Sequence, residues 1–269
     1  MTNVQKLIKY LALVLAFFLI ITIFSAITMA IYGIANEIGL KKDKERHEMV
    51  DLKCSYKGIT SLDIDINYSN LDIKIGREFL VQTDNKEVSC KNDNGKLVIE
   101  EKDKWFSWGY SRNLVVYIPD DFSFEKVNIE SGAGSVDIES IVTEKLKLDL
   151  GAGKTDIDNL IVSKDAFINT GAGKFQVLAG SINNLDFDIG VGEANIKTKL
   201  TGVNRFDAGV GALKLNLLGN LDDYRIKVSK EIGNISIDSK NVSEGEIGNG
   251  DVIVDIDGGI GEIKVDFNE

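Results

Sequence analysis

The sequence predicts an all-β protein, a β-solenoid of the parallel β-helix type with about 19–20 residues per coil, preceded by one transmembrane α-helix. Three observations lead to this fold class. A Gly-x-Gly motif recurs through the second half, apolar and polar residues alternate around each motif, and one long apolar run lies near the N-terminus. We therefore divide the chain into a cytoplasmic tail (1–10), an anchor (11–35), a charged juxtamembrane linker (36–53), an N-terminal β region continuous with the solenoid (54–125) and the repeat solenoid (126–269).

The anchor is an uncharged run of 25 residues from Leu11 to Ala35, of which 21 are apolar. A helix rising about 1.5 Å per residue crosses a hydrocarbon core of about 30 Å with this length. A cleaved signal peptide is the alternative, although its apolar region normally spans only about 7–15 residues. The short tail carries Lys6 and Lys9 and is typical of a signal anchor. We therefore predict a single-pass protein with its N-terminus inside and its C-terminal domain outside the membrane.

The repeat solenoid is built on seven copies of the motif, which we call repeats 1–7 in chain order. Their second glycines are spaced 19, 20, 19, 19, 22 and 28 residues apart, a near-fixed period that is typical of a solenoid. Successive coils are expected to stack in parallel about 4.8 Å apart, with the last coil capping the stack; up-and-down antiparallel pairing is the alternative. The glycines of the motif are predicted to form structural corners, and they are Gly132, Gly134, Gly151, Gly153, Gly171, Gly173, Gly190, Gly192, Gly209, Gly211, Gly233, Gly259 and Gly261.

Three positions of the repeat are apolar in every copy. They lie five residues before the second glycine, immediately before it, and four residues after it. Alternation with polar residues predicts strands with one buried face, and we assign all three positions to that face. An extra residue after the glycine predicts a bulge or corner between two strands. The longer gaps before repeats 6 and 7 predict insertions near 218–224 and 239–251.

The N-terminal β region continues the alternating pattern, with strands predicted at 62–68, 71–75, 79–83, 97–100 and 114–118. Two of these strands read Gly95-Lys-Leu-Val-Ile99 and Leu114-Val-Val-Tyr-Ile-Pro119, and Ser131-Gly-Ala-Gly-Ser-Val-Asp-Ile138 and its successors follow. This order resembles the bacterial putative-adhesin family (domain of unknown function 4097) over residues 59–269. The resemblance implies a β-solenoid in the extracytoplasmic cell envelope without known catalysis, and some relatives are associated with envelope-stress regulation.

Composition excludes several functions. The net charge of −11 lacks the basic footprint that a nucleic-acid-binding protein needs. One histidine and two cysteines exclude a Cys/His zinc module. The segment Gly151-Ala-Gly-Lys-Thr155 superficially resembles a phosphate-binding loop, but Leu148 stands where that motif requires its first glycine. We predict no cofactor and no catalytic residues.

One outward-facing position is acidic in most repeats, four residues before the second glycine. In-register stacking would bring these carboxylates to about 5 Å from one another, where they repel unless a cation or protonation relieves them. The alternative is solvated charge that prevents aggregation. The candidate residues of this metal ladder are Glu130, Asp149, Asp188, Asp207 and Asp257, with Asn169 and Ser229 at the same position in repeats 3 and 6. Calcium-binding β-roll repeats share Gly-Gly-x-Gly, which occurs at 258–261, but they have a nine-residue period.

Two further features are candidates for a role outside the core. Four aromatic residues, Trp105, Phe106, Trp108 and Tyr110, form either a surface contact for a membrane or ligand, or a loop folded over the open end of the core. Cys54 and Cys90 are a candidate disulfide if the domain lies outside the cell.

The function predicted from these patterns is that of a non-catalytic, membrane-anchored, extracytoplasmic surface module, adhesin-like or structural, in a bacterial cell membrane. Its expected partners are the membrane and either an envelope polymer or a membrane protein. The alternative is an envelope-stress sensor or regulator that acts through a membrane partner contacted by the anchor. A polysaccharide-cleaving β-helix enzyme has the least support.

Overall fold

The computed structural model describes residues 48–102 and 112–268, and these residues form one stack of β-coils. The predicted anchor and the four aromatic residues from Trp105 to Tyr110 lie outside the described residues. Within the described part, no helix is long and apolar enough to cross a membrane. A single turn of 3-10 helix spans Leu221–Asp223. The strands are β1 (Val50–Asp51), β2 (Ser61–Ile66), β3 (Ser69–Gly76), β4 (Leu80–Thr83), β5 (Val88–Asp93), β6 (Lys96–Glu101), β7 (Arg112–Pro119), β8 (Ser123–Val177), β9 (Gly180–Asn183), β10 (Leu185–Thr201), β11 (Val203–Leu218), β12 (Tyr224–Ile237), β13 (Lys240–Asn241), β14 (Gly245–Ile247) and β15 (Val252–Asn268).

The middle of the stack confirms the predicted parallel pairing. Strand β8 runs through repeats 1–3, and β10 and β11 carry repeats 4 and 5. Phe187 of repeat 4 pairs with Ile168 on one side and with Phe206 on the other, so equivalent residues face each other one coil apart. A constant period therefore places each side chain above its counterpart in the preceding coil, as in-register stacking requires.

The core contains the two predicted strand positions on either side of the corner. Five residues before the second glycine, and four residues after it, every repeat has an apolar side chain that is at most 3% exposed. Neighbouring coils also pack aromatic rings on one another: the ring centroids lie 5.2 Å apart for Phe175 and Phe187, and 5.9 Å apart for Phe187 and Phe206. Burial of these side chains drives the stacking, because a single coil cannot cover its own apolar face.

The C-terminal end of the stack differs from the prediction, because repeat 7 is not the cap. Strand β15, which carries repeat 7, pairs in parallel with β11 on one side and with β12 on the other. Repeat 6, in β12, is the last full coil, and its outer edge pairs antiparallel with the short strands β13 and β14. The insertion at 239–251 explains this order, since it covers the outer edge of β12 and returns the chain to the gap beside β11.

The N-terminal end has the same kind of reversal. Strands β2 and β3 form a coil that pairs in parallel with repeat 1 in β8, and on its other side with β6 and β7. The coil that comes first in the chain therefore lies inside the coil that follows it. Antiparallel strands cover the outer edges here as well: β5 pairs with β6, β4 pairs with β7, and β1 pairs with β4. From one end to the other the nine described coils are β6–β7, β2–β3, repeats 1–5, repeat 7 and repeat 6.

Candidate functional site

The residue immediately before the second glycine of each repeat, or before Gly233 in repeat 6, where glutamate replaces the first glycine, faces solvent, which corrects its assignment to the buried face. All seven of these apolar residues are exposed. The buried positions that flank the corner are Ile189 before Gly190 and Ala194 after Gly192 in repeat 4, so four consecutive residues form the turn. The assignment was wrong because it extended the alternation of inward and outward side chains into the corner, where the strand geometry is interrupted.

The glycines at the corner let the backbones of neighbouring coils lie closer together than a side chain would allow. The second glycine has a positive φ in every repeat, +147° at Gly192, and a Cβ there would overlap the carbonyl oxygen of Gly173 in the neighbouring coil. At the first glycine φ is not positive, but a Cβ on Gly190 would lie 2.6 Å from the carbonyl oxygen of Gly171. Both glycines therefore serve the close stacking of one corner on the next.

The exposed residues at the corner apexes form a continuous line, which we call the corner row. Val191 pairs with Ala172 and Val210, and Ile260 pairs with Val210 and Ile232. Tyr68 extends the row by one coil and is 57% exposed, while the exposed fraction reaches 62% at Ile232. In order along the stack the row consists of Tyr68, Ala133, Ala152, Ala172, Val191, Val210, Ile260 and Ile232. Within the seven repeats the side chains thus grow from alanine to isoleucine towards the C-terminal end.

A second line of side chains, which we call the acidic column, runs along the stack beside the corner row. Asp188 pairs with Asp207, and Asp207 pairs with Asp257. The structure brings together the predicted residues in one column and adds two carboxylates from the N-terminal coils, since Asp65 pairs with both Glu100 and Glu130. Sequence analysis missed these two because their coils lack the Gly-x-Gly motif. The full column is Glu100, Asp65, Glu130, Asp149, Asn169, Asp188, Asp207, Asp257 and Ser229.

The electrostatic environment changes along the acidic column. Glu130 accepts a hydrogen bond from Lys147, with 2.9 Å between Oε1 and Nζ, and this contact holds the pKa of the Glu130 carboxyl below its ordinary value. At Asp207, burial, and then repulsion from Asp188 and Asp257, raise the pKa of the carboxyl. Neighbouring carboxylates at this spacing destabilise each other when ionised.

No three His, Cys, Asp or Glu side chains within residues 48–102 and 112–268 are arranged to hold a metal ion. Amide and hydroxyl groups occupy two positions of the column instead: Asn169 donates to Asp149 with 3.3 Å between Nδ2 and Oδ1, and Ser229 donates to Asp257 with 3.2 Å between Oγ and Oδ1. Binding of divalent cations along the column stays a prediction.

The corner of the β2–β3 coil is closed by a carboxylate that sequence analysis did not single out. Glu101 is only 9% exposed, and its Oε2 accepts hydrogen bonds from the backbone N–H groups of Asn67, Tyr68 and Ser69 at 2.8, 3.0 and 3.2 Å. Its Oε1 accepts from Ser69 Oγ at 3.1 Å and from Asn85 Nδ2 at 2.6 Å. The signal in the sequence is that Glu101 follows Leu97 and Ile99 at two-residue intervals, which places an acid on the inward face of the strand.

The N-terminal end of the core is covered by an aromatic cluster and a disulfide. Phe79 lies against Phe122, with ring centroids 4.8 Å apart, and Phe122 lies against Phe124 at 4.7 Å. Cys54 and Cys90 form a disulfide with 5.8 Å between their Cα atoms. Trp105, Phe106, Trp108 and Tyr110 lie outside the described residues, so both roles considered for them stay predictions.

The solved structures similar to this chain include three of low sequence identity. A putative cell adhesion protein from Clostridium sporogenes is 14% identical, with 82% of this chain and 98% of that chain covered and a TM-score of 0.33. A putative adhesin from Bacteroides fragilis is 13% identical, with 81% and 96% covered and a TM-score of 0.36. A putative adhesin from Parabacteroides distasonis is 15% identical, with 81% and 98% covered and a TM-score of 0.31.

No curated protein matches the chain. A family profile described as Toastrack DUF4097 matches residues 88–266, which include all seven repeats and the three strands before them, β5, β6 and β7. This range is two thirds of the sequence and agrees with the family whose motif order the chain resembles. The chain belongs to the Toastrack DUF4097 family.

Proposed function

We propose that this chain is a non-catalytic binding module, adhesin-like or structural, which a single-pass anchor at residues 11–35 holds outside a bacterial membrane. The observation that carries the proposal is that the corner row and the acidic column run side by side along one edge of the stack. Apolar side chains that remain exposed in a continuous line are typical of interaction sites. A stacked solenoid also keeps such a line straight and rigid, which suits an extended partner.

The charge of the domain restricts the chemistry of that partner. Residues 49–269 contain 25 basic and 38 acidic residues, and the acidic column places seven of the carboxylates in one line. Such a surface repels anionic polymers and attracts cationic groups. The partner expected here is therefore an envelope polymer with cationic substituents, or a membrane protein with a basic, apolar contact surface.

Residues Cys54 and Cys90 support the extracytoplasmic location. Disulfides persist in oxidising environments, and in bacteria these lie outside the cytoplasmic membrane. The location is tested by labelling a cysteine introduced at an exposed site such as Asp238, from outside intact cells. Labelling without permeabilisation is expected, and its absence in cells that contain the folded protein would reject the proposed orientation.

The binding role is tested with two matched valines. Val210 lies in the corner row and Val203 lies outside it, and both are 47% exposed. We expect Val210→Asp to weaken binding of the full chain to isolated cell envelopes by at least about tenfold, the effect of losing one well-packed apolar contact. Val203→Asp should bind like the wild type. Equal binding by both variants, with unchanged melting temperatures, would contradict a role for the row.

Exchange of the anchor distinguishes the binding module from the envelope-stress regulator. Thr22, Ser25, Thr28 and Gly33 are small residues at spacings that suit contact between membrane helices. A surface module should keep its function on an unrelated anchor. Loss of function with normal display on the cell surface would favour the regulator instead.

A further inference from the structure

The chain enters the stack through a short extended segment, residues 50–57, which we call the N-terminal strap. Leu52, Cys54 and Tyr56 are partly buried against the core, whereas Asp51, Lys53 and Ser55 between them are exposed. The strap therefore lies across the end of the core with alternate side chains facing inward. Its Tyr56 ring stacks on Phe79, with 6.1 Å between the ring centroids, so the strap covers the aromatic cluster.

The disulfide joins the two outer edges of this end. Strands β1 and β4 extend the sheet that contains β7, and β5 extends the sheet that contains β6. Cys54 follows β1, and Cys90 lies in β5. A covalent bond between them closes the gap between the two sheets above Phe79, Phe122 and Phe124.

Apart from the disulfide, the strap is held by a short backbone pairing and by a few hydrogen bonds, among them those from Gln82 Nε2 to Asp51 Oδ1 at 2.7 Å and from Asn92 Nδ2 to the Lys57 carbonyl oxygen at 2.9 Å. Only two of its residues pair with β4, Val50 with Thr83 and Asp51 with Gln82. Leu52 N–H donates to the carbonyl oxygen of Val81 at 2.8 Å, and Val81 N–H donates to the Tyr56 hydroxyl at 3.0 Å. Two-residue pairing at a sheet edge opens easily, because short edge segments are among the least stable parts of a fold. Repeat 4, in contrast, is paired along its length on both sides.

We propose that the Cys54–Cys90 disulfide is a redox latch, whose reduction releases the N-terminal strap and uncovers the aromatic cluster while the repeat coils stay folded. The reductant is a dithiol. One of its thiolates attacks one of the two cysteine sulfurs, which breaks the Cys54–Cys90 bond, forms a mixed disulfide and releases the other cysteine as a thiolate that takes up a proton. The second thiol of the reductant then attacks the reductant's own sulfur in the mixed disulfide and releases the remaining cysteine as a thiol. Two electrons and two protons are transferred, so Cys54 and Cys90 become thiols and the dithiol becomes a disulfide. Both cysteines are partly exposed, as this attack requires.

The latch is tested with the full-length chain in detergent micelles, by trypsin digestion with and without dithiothreitol. Lys53 and Lys57 are exposed cleavage sites in the strap, and Lys197 is an exposed reference site in repeat 4. Reduction should speed cleavage at Lys53 and Lys57 by at least about tenfold and leave cleavage at Lys197 unchanged. It should also increase the fluorescence of 8-anilinonaphthalene-1-sulfonate, which binds exposed apolar surface, above the signal that the dye gives with protein-free micelles and with the oxidised chain.

A Cys54→Ser, Cys90→Ser double variant controls for other effects of the reductant. It should be cleaved like the reduced wild type and should not respond to dithiothreitol. If this variant does not fold, reduction of the folded wild type followed by reoxidation tests the same point, since the slow cleavage must return. Unchanged cleavage at Lys53 and Lys57 after complete reduction would overturn the proposal, and so would a simultaneous rise at Lys197, which would show that the whole stack opens. Neither result depends on the proposed binding role.

Discussion

The middle of the stack and its N-terminal end close equivalent corners with different chemistry. In repeats 1–5 the corner is Gly-x-Gly, and its backbone packs directly on the corner of the neighbouring coil. In the β2–β3 coil the corner is Asn67-Tyr68-Ser69, and its three N–H groups point to the Glu101 carboxylate. On the side that faces repeat 1, this corner makes a normal backbone hydrogen bond: Ala133 N–H donates to the carbonyl oxygen of Asn67 at 2.9 Å.

The difference shows what a neighbouring coil supplies. A corner inside the stack has backbone partners on both sides. Its main requirement is room for the backbone of the next coil, which glycine provides because it has no side chain. The β2–β3 corner has the backbone of repeat 1 on one side, and on its other side the Glu101 side chain accepts the hydrogen bonds of its N–H groups. Buried N–H groups require a partner, and a carboxylate oxygen accepts several of them with charge-assisted strength.

The largest effect is expected from Gly192→Ala, which tests whether space is critical in the middle. The new Cβ would overlap the Gly173 carbonyl at a φ of +147°. Strain and overlap together should cost about 4 kcal/mol, or roughly 10 °C of melting temperature for a domain of this size. Thermal unfolding followed by circular dichroism measures the shift.

Gly245→Ala is the matched control, because Gly245 has a φ of +148° but no atom within 4 Å of the position of a Cβ. Only the backbone strain applies there, so the cost should be about 1 kcal/mol. Equal losses in the two variants would show that the positive φ, and not the approach of the next coil, explains the glycine corners.

The next largest effect is expected from Glu101→Ala, which tests the corner at the N-terminal end. Loss of the carboxylate removes the acceptor of three N–H groups, of which that of Ser69 is buried and those of Asn67 and Tyr68 are partly buried, and the cost should be about 3 kcal/mol. Glu100→Ala is the control on the same strand: its exposed side chain makes only a surface contact with Lys91, at 3.4 Å, and should change stability by less than about 0.5 kcal/mol. Similar melting temperatures for the two variants would contradict the role of Glu101.

The smallest effects are expected in the acidic column, where Glu130 and Asp207 should respond to pH with opposite signs. The lowered pKa of Glu130 means that its contact with Lys147 stabilises the fold at neutral pH and is lost as the pH falls through the folded-state pKa. The raised pKa of Asp207 means that ionisation destabilises the fold as the pH rises through its folded-state pKa.

At pH 7, Glu130→Gln should therefore lower and Asp207→Asn raise the free energy of unfolding, each by about 0.5 kcal/mol because the groups are exposed. Below about pH 3, where carboxyls are protonated, each variant should unfold like the wild type. Melting curves at pH 7 and pH 3 measure both effects. Changes of the same sign at pH 7 would show that Lys147 does not compensate the charge of Glu130.

The acidic column and the corner row illustrate how far sequence analysis reached. A constant period and two-residue alternation are local properties, and they were enough to place Asp188, Asp207 and Asp257 in one column. The two additional members, Asp65 and Glu100, were out of reach because pairing between β2, β6 and β8 joins residues far apart in the chain. Val191 and its equivalents were placed inside because alternation does not indicate where a corner interrupts it.

The sequence by itself determined the β-coil, its period, the side chains that face the core and the glycines at its corners. All of these follow from steric and hydrophobic preferences of residues close together in the chain. The tertiary structure alone decided the order of the coils at both ends, the direction of the corner apexes, the role of Glu101 and the pairing of Cys54 with Cys90. These features depend on which exposed edges and N–H groups remain after the coils have stacked, and on which distant segments reach them.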